Sequence, residues 1–435
     1  MNTPTEILAA PFPRTWRSSF ARLRLHSSHA RLFSGSMVML VGSTLVSLVN
    51  FGYNVAVARM LGPGNFSQAA AAVTLLMLVS SITLAFQLTC AKFVAKNETL
   101  ATKAYLYRTL RKKAWYVGTM LGGGVIVLST LISDYLRMST PLILIMAIGI
   151  AFYIPLGTRR GAMMGTTQFV KLSSNFVLEA LVKLITAIVL VKLGYGVMGA
   201  VIAIAVSVVV AYSYPWVGGG LDVEGEAGIP ASIREGTQSI VFFIGQVIIN
   251  NIDILMVKHF FASSDAGLYA AVALVGRVLY FASWSVVSAM FPISASAKPQ
   301  DQNTSVLIIP LLIVVGIAFF FTVFLGLFPD FVLRMLFGQG FHGRGIEALL
   351  ALYASTTGAY ALAVVLTAYE ISRRIANVAW LQLAFSVLVV IGIALFHETL
   401  REVIVVQQVL MVLLLISVSL PFFRRHRRRG GLEAL

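Results

Sequence analysis

The first polar turn of the chain reads Asn54-Val-Ala-Val-Ala-Arg59-Met-Leu-Gly-Pro-Gly-Asn-Phe66, and an Ala-rich apolar stretch follows it. A similar arrangement begins 199 residues later, with Asp253-Ile-Leu-Met-Val-Lys258-His-Phe-Phe-Ala-Ser-Ser-Asp265 followed by Ala266-Gly-Leu-Tyr-Ala-Ala-Val. In each copy a polar residue stands five positions before a cation, the cation closes an apolar stretch, and a turn leads into a second one. This matched spacing predicts two similar halves, although two apolar hairpins that resemble each other only in composition are the alternative.

The composition of the 435-residue chain is that of a membrane protein. Apolar residues make up 58% and charged residues 11% of it, whereas a typical soluble protein carries about 25% charged residues. A membrane-spanning helix needs roughly 20 residues, so the apolar residues could supply about twelve spans. Runs such as Ile202 to Val210 are apolar on every side, which favours helices over a transmembrane barrel. The composition therefore excludes a soluble enzyme.

Apolar windows bounded by charges and turn residues predict twelve spans. They lie at residues 33–58, 66–91, 114–133, 141–157, 173–191, 197–217, 236–257, 266–291, 305–328, 346–369, 376–396 and 403–423. Six spans per half is an even number, so both halves start on the same side and the repeat is parallel. We expect an all-α polytopic membrane protein with about 12 transmembrane helices in two six-helix bundles, related by a pseudo-twofold axis along the membrane normal.

Cations are distributed unequally between the two sides of this topology. With the N-terminus inside, 24 of the 33 Lys and Arg residues lie in cytoplasmic segments, 7 lie outside and 2 lie within spans. The positive-inside rule therefore predicts that both termini are cytoplasmic. The expected segments are a basic cytoplasmic N-terminal segment (1–32), an N-terminal bundle (33–217), a cytoplasmic linker (218–235), a C-terminal bundle (236–423) and a basic cytoplasmic tail (424–435).

Motifs of enzyme chemistry are missing from the sequence. It has no G-x-x-x-x-G-K-[ST] phosphate loop, no paired-aspartate D-x-D and no H-E-x-x-H. The single cysteine, Cys90, excludes a disulfide framework and a metal site built on several thiolates. We expect no enzymatic activity, no cofactor and no metal. The net charge of +16 is explained by sidedness, so we expect no nucleic-acid partner.

The two turns resemble those of a known exporter superfamily. The runs Ala58–Phe66 and Asp253–Tyr269, with the later Ser288-Ala-Met-Phe-Pro292, are similar to signatures of the multidrug/oligosaccharidyl-lipid/polysaccharide (MOP) exporter superfamily, in its polysaccharide-biosynthesis, O-antigen flippase-like branch. The resemblance covers residues 33 to 423, and Ser67 departs from it because that branch usually has Gly after the Phe. It implies two six-helix bundles whose helices 1, 2, 7 and 8 line a central cavity.

The resemblance implies a flippase that translocates polyprenyl-diphosphate-linked oligosaccharide repeat units across the bacterial cytoplasmic (inner) membrane by alternating access. The partners that it implies are the lipid-linked oligosaccharide, membrane lipids and polysaccharide polymerase or export machinery. Two alternatives stay open: a cation-coupled multidrug antiporter of the same superfamily, and a non-transporting scaffold of a polysaccharide-synthase complex. The predicted spans contain few carboxylates to attract a cationic drug, which disfavours the antiporter.

Polar residues inside the spans form two matching stripes. These are Ser43, Ser47, Asn50 and Asn54 on the first helix and Gln246, Asn250 and Asp253 on the seventh. Their helical spacing puts each stripe on one face, and the 199-residue offset pairs Asn54 with Asp253. The stripes are expected to line the central cavity together with Gln87 of the second helix. The alternative is hydrogen bonding between helices, worth about 0.6 kcal/mol a pair.

Arg277 is predicted to lie deep in the membrane. It is about 12 residues below the outer start of the eighth helix, which is about 18 Å at the rise of an α-helix and too deep for its side chain to reach either surface easily. One interpretation is an ion pair with Asp253, and the other is that Arg277 and Asn250 bind a diphosphate through the planar guanidinium. Tyr280 and Trp284 share the face of Arg277, where they would stack on sugar rings or pack together.

Two further pairs of charged residues are candidates for function. Glu179 and Lys183 stand four apart on the fifth helix and are expected to neutralise each other. The alternative is proton or sodium coupling through Glu179, Lys183 or Asp253. Arg59 and Lys258 close the first and seventh helices at the outer surface, where they would attract the departing diphosphate or anchor to headgroups.

Overall fold

The computed structural model describes residues 27–97, 99–214, 237–296, 305–341, 345–373 and 378–430, and these ranges contain helices and short turns without a strand. The predicted linker, most of the predicted N-terminal segment and the end of the predicted tail lie outside the described residues. The first-half helices are α1 (Ser27–Lys96), α2 (Leu100–Val127), α3 (Ser129–Leu136), α4 (Thr140–Gly165), α5 (Phe169–Leu190) and α6 (Gly196–Ser213). The second-half helices are α7 (Thr237–Phe260), α8 (Ser263–Gly276), α9 (Val278–Ser296), α10 (Ser305–Leu327), α11 (Pro329–Phe337), α12 (Glu347–Arg373), α13 (Val378–Leu395) and α14 (Leu400–Gly430). A π-helical turn spans Val191–Tyr195, and a 3-10 turn spans Gln339–Phe341.

The described helices account for the predicted crossings. Eight stretches are long and apolar enough to cross a membrane, and two of these are long enough to cross twice. The two long stretches are Met37–Lys96, with 60 residues, and Phe169–Ser213, with 45. The pair α2 and α3, bent by 66°, and the shorter apolar helix Trp380–Leu395 supply one further crossing each. The prediction of an all-α membrane protein with about twelve spans is confirmed.

The first predicted turn is a kink inside α1. Gly62 has φ 70° and ψ 171°, a left-handed φ that glycine adopts without a steric penalty. Pro63 follows, in the first turn of the resumed helix, where its missing N–H removes no helical hydrogen bond. The two arms of α1 on either side of Gly62 therefore correspond to the predicted spans 33–58 and 66–91.

Each half packs around one central helix. In the first half α1 packs against α4, α5 and α6, and α2 packs against α4. In the second half α12 packs against α9, α10 and α14, and α7 packs against α13. The two halves meet where α1 packs against α7 and α8. The repeated turns of the sequence, which lie in α1 and between α7 and α8, therefore stand at the contact between the halves.

The fourth span is longer than the sequence predicts, because α4 continues from residue 157 to Gly165. Three glycines spaced four residues apart permit this extension by letting α4 approach α1 closely. Gly157, Gly161 and Gly165 lie against the carbonyl groups of Thr83, Gln87 and Ala91. The prediction that Arg160 lies in a cytoplasmic loop was wrong, since the extended helix places it inside the bundle at 2% exposure.

Candidate functional site

A buried ion pair forms the centre of a polar cluster in the second half. Asp253 of α7 is fully buried, and Arg277, between α8 and α9, donates through Nη2 to its Oδ1 at 2.6 Å. The hydroxyl groups of Tyr269 and Tyr353 donate to the other carboxylate oxygen at 3.0 and 2.8 Å. Gln407 of α14 donates to the Tyr269 hydroxyl at 2.8 Å. The structure thus contains the ion pair of Arg277 with Asp253, which was one of the two interpretations of Arg277, and surrounds its carboxylate with donors.

The guanidinium of Arg277 keeps one edge free of these contacts. Its Nε donates to the Tyr353 hydroxyl at 3.2 Å and its Nη2 to Asp253, so two of its five N–H donors are engaged by these contacts. The side chain is 13% exposed and borders a cavity of about 20 Å³ that Asn250, Thr356 and Tyr360 also line. That volume suits about one water molecule. In this conformation the cavity is therefore too small for a diphosphate.

Asn250, Asn54 and Gln87 are half-buried, and both asparagines turn their amide groups towards their own helices. The Asn54 amide donates to the Asn50 carbonyl and the Asn250 amide donates to the Gln246 carbonyl, each at 2.9 Å. Two buried amide oxygens, Asn50 Oδ1 and Gln246 Oε1, have no hydrogen-bond partner within the described ranges. Each of these acceptors lies one helical turn before the asparagine of its stripe, and the lining of a central cavity by the two stripes stays a prediction.

The aromatic residues near Arg277 pack mainly on one another. Tyr280 stacks on Trp284 with ring centroids 6.3 Å apart and on Tyr360 at 5.9 Å. The Gln246 amide donates to the Tyr280 hydroxyl, and Gln382 donates to the Tyr360 hydroxyl at 2.9 Å. Tyr280 and Trp284 are half-buried as whole residues. The packing interpretation describes this conformation, and sugar stacking stays a prediction.

A second buried ion pair lies in the first half. Arg160 donates through Nη2 to Glu179 of α5 at 2.5 Å and through Nε to Asn175 at 2.8 Å. The expected Glu179–Lys183 pair was wrong, because the extension of α4 brings Arg160 to the carboxylate instead. Lys183 is 6% exposed, and its ammonium lies 5.3 Å from the centre of the Tyr53 ring. Glu179 is thus neutralised by Arg160 of α4, a helix on which the sequence predicted no buried charge.

The two cations at the predicted outer ends of helices 1 and 7 have different surroundings. Arg59 is exposed and donates to the backbone carbonyl of Met335 in α11. Lys258 is 1% exposed and donates to the hydroxyl groups of Ser67 at 2.9 Å and Ser263 at 2.8 Å. The contact between the halves therefore covers Lys258 in this conformation, and binding of the departing diphosphate or of headgroups by the two cations stays a prediction.

Sequence reasoning missed several members of these clusters. Tyr269 ends the second repeated motif, so its position was visible, but nothing in the sequence relates Tyr353 or Gln407 to Asp253.

Glu370 was left outside the tenth predicted span, which ended at residue 369. In the structure it belongs to α12 and is fully buried, and neither carboxylate oxygen has a hydrogen-bond partner among the described residues. A buried carboxylate in such surroundings is costly unless it is neutralised.

Comparisons with known proteins place these features in context. A family model described as "Polysaccharide biosynthesis protein" matches residues 32–298, which include both repeated turns. No curated protein matches the chain.

Among solved structures, an inward-facing multidrug resistance MATE family transporter of the MOP superfamily has a TM-score of 0.74 at 13% identity, over 89% of this chain and 96% of that one. The lipid II flippase MurJ, in an inward closed conformation, has a TM-score of 0.69 at 10% identity, over 88% and 87%. An outward-facing MATE structure has a TM-score of 0.59 at 15% identity, over 93% and 96%. At these identities the similarity shows a common fold of two helical bundles.

Proposed function

Since this chain belongs to the polysaccharide biosynthesis protein family, we propose that it is a flippase for polyprenyl-diphosphate-linked oligosaccharide. It carries the substrate from the cytoplasmic to the outer leaflet as its two bundles expose a central cavity to each side in turn. The family supports an oligosaccharide as the cargo, and the fold in common with a lipid II flippase supports a lipid carrier. The polyprenyl tail stays in the bilayer while the polar head crosses between the bundles.

The observation that carries this proposal is the half-engaged guanidinium of Arg277. A buried arginine needs an anionic or hydrogen-bonding partner. Among the residues that the structure describes, Asp253 and Tyr353 supply partners on one edge only. The other edge presents N–H donors in the planar geometry that binds two phosphate oxygens at once. We assign the binding of the diphosphate to this edge.

Asp253 has a positioning role in this proposal. Its carboxylate is fully buried and accepts from Arg277, Tyr269 and Tyr353, so it does not itself face the substrate. It orients the guanidinium and balances part of its charge. The small cavity beside Arg277 widens when the bundles rearrange around the substrate, and Asn250 then adds an amide donor to the site.

We further propose that the protein lies in the cytoplasmic membrane with both termini inside and has no catalytic activity of its own. The uneven distribution of cations supports this orientation. Residues 33–217 and 236–423 are the two moving units, and 218–235 is the cytoplasmic connection between them. Polysaccharide polymerase or export machinery takes over the product in the outer leaflet.

A cation-coupled antiporter is the second candidate, and Glu370 is the observation in its favour. Coupling to protons or sodium requires a carboxylate that can change its partner during transport. Glu370 is buried and has no hydrogen-bond partner in the part of the chain that the structure describes. The fold similarity to multidrug transporters fits the same idea. The two other carboxylates singled out in the spans, Glu179 and Asp253, are each paired with an arginine. This leaves little negative charge to attract a cationic drug.

Deletion of the gene tests the proposal. We expect lipid-linked oligosaccharide to accumulate in the cytoplasmic leaflet and to be cleared when the wild-type gene is restored. Arg277→Lys, produced at equal abundance, should clear it poorly. An antiporter would instead change the resistance of the cells to dyes and drugs and leave the lipid-linked pool unaltered. That second outcome would contradict the flippase proposal.

A further inference from the structure

The two repeated turns of the sequence contact each other at the predicted outer end of the two halves. Gly267, in the second turn of α8, lies against Pro63, which follows the kink of α1. A Cβ atom built on Gly267 would overlap the carbonyl oxygen and carbon of Pro63. Position 267 can therefore carry only a hydrogen while the two halves are in this arrangement.

Lys258 joins the same two turns through hydroxyl groups. Its ammonium donates to Ser67 in the first half and to Ser263 in the second. Since these distances are 2.9 and 2.8 Å, the two serine oxygens are no more than 5.7 Å apart. The Ser67 hydroxyl is the group of the first half that accepts from Lys258.

Other contacts between the halves lie at the same end. The carbonyl of Met335 accepts from Arg59, and the carbonyl of Phe261 accepts from Arg137 at 3.4 Å. His259 stacks on Tyr135, with ring centroids 3.8 Å apart. Its Nδ1 lies 2.7 Å from the Tyr135 carbonyl. With the Lys258–Ser67 bond, four hydrogen bonds between the halves are thus concentrated in one layer at the predicted outer surface.

We propose that this layer is the outer gate of the transporter, closed by the Pro63–Gly267 contact and by the Ser67–Lys258 hydrogen bond. The proposal rests on the proposed function, because a gate is meaningful only if substrate passes. The close approach at Gly267 excludes water from this contact between the halves, and the hydrogen bonds keep the two halves together here. A few such bonds, each worth about 0.5–1.5 kcal/mol, can be broken and remade in every cycle. When the gate opens, the Lys258 ammonium loses Ser67 and becomes available to the departing diphosphate.

Cross-linking the two serines tests this gate. In a Cys90→Ala background, which removes the one native cysteine, Ser67→Cys and Ser263→Cys place two thiols across this contact between the halves. Oxidation should join them, and a protease site inserted at residues 218–235 reveals the bond, because the two halves then stay together after cleavage. Each single-cysteine variant is the control.

If this layer is the outer gate, transport requires it to open, so a cross-link between the two serine positions should stop transport. The oxidised protein should stop clearing lipid-linked oligosaccharide, and reduction should restore the activity. Full activity of the cross-linked protein would overturn the proposal, since this contact could then stay closed throughout the cycle. Failure of the thiols to join would also overturn it, because the two serines would not be neighbours.

A labelling experiment tests the gate without any substrate. The Ala266 side chain, next to Gly267, is 3% exposed, so Ala266→Cys, which leaves the Ser67–Lys258 hydrogen bond intact, should react slowly with a membrane-impermeant maleimide added outside the cell. Gly267→Val cannot fit beneath Pro63 and should raise the labelling rate about tenfold, as a shift of about 1.4 kcal/mol towards the open state would do. Gly316→Val is the matched control, because a Cβ at Gly316 meets no atom within 4 Å.

Lys258→Met gives a second route to the same open state if Gly267→Val is not produced in the membrane. It keeps the length of the side chain and removes the ammonium that donates to Ser67, so labelling of Ala266→Cys should rise here as well. Unchanged labelling in both variants would overturn the gate. If labelling rises but the lipid-linked oligosaccharide is never transported, the gate stands and the proposed substrate fails.

Discussion

Arg277 has two proposed roles, binding the diphosphate and neutralising Asp253. Replacement of Arg277 separates them, because lysine and alanine affect them differently. Arg277→Lys keeps a positive charge beside Asp253 but loses the bond to Tyr353 and the planar edge. One hydrogen bond to a charged group contributes about 1.5–3 kcal/mol, so losing one to the diphosphate should lower transport about tenfold to a hundredfold. Arg277→Ala leaves the buried carboxylate of Asp253 without its cation, a change that costs about 3–5 kcal/mol. We expect this variant to be scarce in the membrane as well as inactive.

The double variant Arg277→Ala with Asp253→Ala decides between the two roles. It removes both charges, so membrane abundance should recover towards that of the wild type. Immunoblotting of membranes measures abundance, and the cellular pool of lipid-linked oligosaccharide measures transport. If the double variant regains abundance but not transport, Arg277 binds the substrate. If it regains both, the reasoning is refuted, because a site that works without the arginine does not depend on it.

Reporter fusions should read external at Gly64 and cytoplasmic at Arg373, and an external reading at Arg373 would break the twelve-span topology. Arg160→Ala should lower membrane abundance, because it strands the Glu179 carboxylate at a cost of about 3–5 kcal/mol; adding Glu179→Gln should restore abundance, and failure to do so would show that the arginine acts in another way. Glu370→Gln should maintain or raise abundance, because it replaces a buried carboxylate that lacks a hydrogen bond by a neutral amide; a marked loss of abundance on immunoblots would contradict this.

Helix number and the parallel repeat were predictable because they depend on local features, namely apolar length and the spacing of cations and turns. The length of α4 was not, because Arg159-Arg160 looks like the cytoplasmic end of a span. Only the packing of its glycines against α1 shows that the helix continues. The predicted partner of Glu179 was wrong because the extension of α4 was not foreseen. Lys183 is the neighbour of Glu179 in the sequence, but Arg160 is its neighbour in space.

The candidate site likewise contains some residues that the sequence predicted and others that only the structure reveals. Asp253 and Arg277 stood out because charged residues inside spans are rare, and their pairing followed from depth in the membrane. Tyr353 and Gln407 are about 100 and 150 residues away along the chain, so only the bundle brings them to the pair. The burial of Lys258 depends on the contact between the two halves, which no single helix pattern predicts.

Purified protein in liposomes offers the most direct test of the central claim, that this chain moves a polyprenyl-diphosphate-linked oligosaccharide between leaflets. The substrate is incorporated in both leaflets, and a glycosidase that cannot cross the membrane is added outside. With the wild-type protein nearly all of the oligosaccharide should become accessible to the enzyme. With Arg277→Lys, as in protein-free liposomes, cleavage should stop near the outer-leaflet half over the same period. If wild-type and protein-free liposomes give the same plateau at that half, the protein does not flip this substrate and the account is wrong.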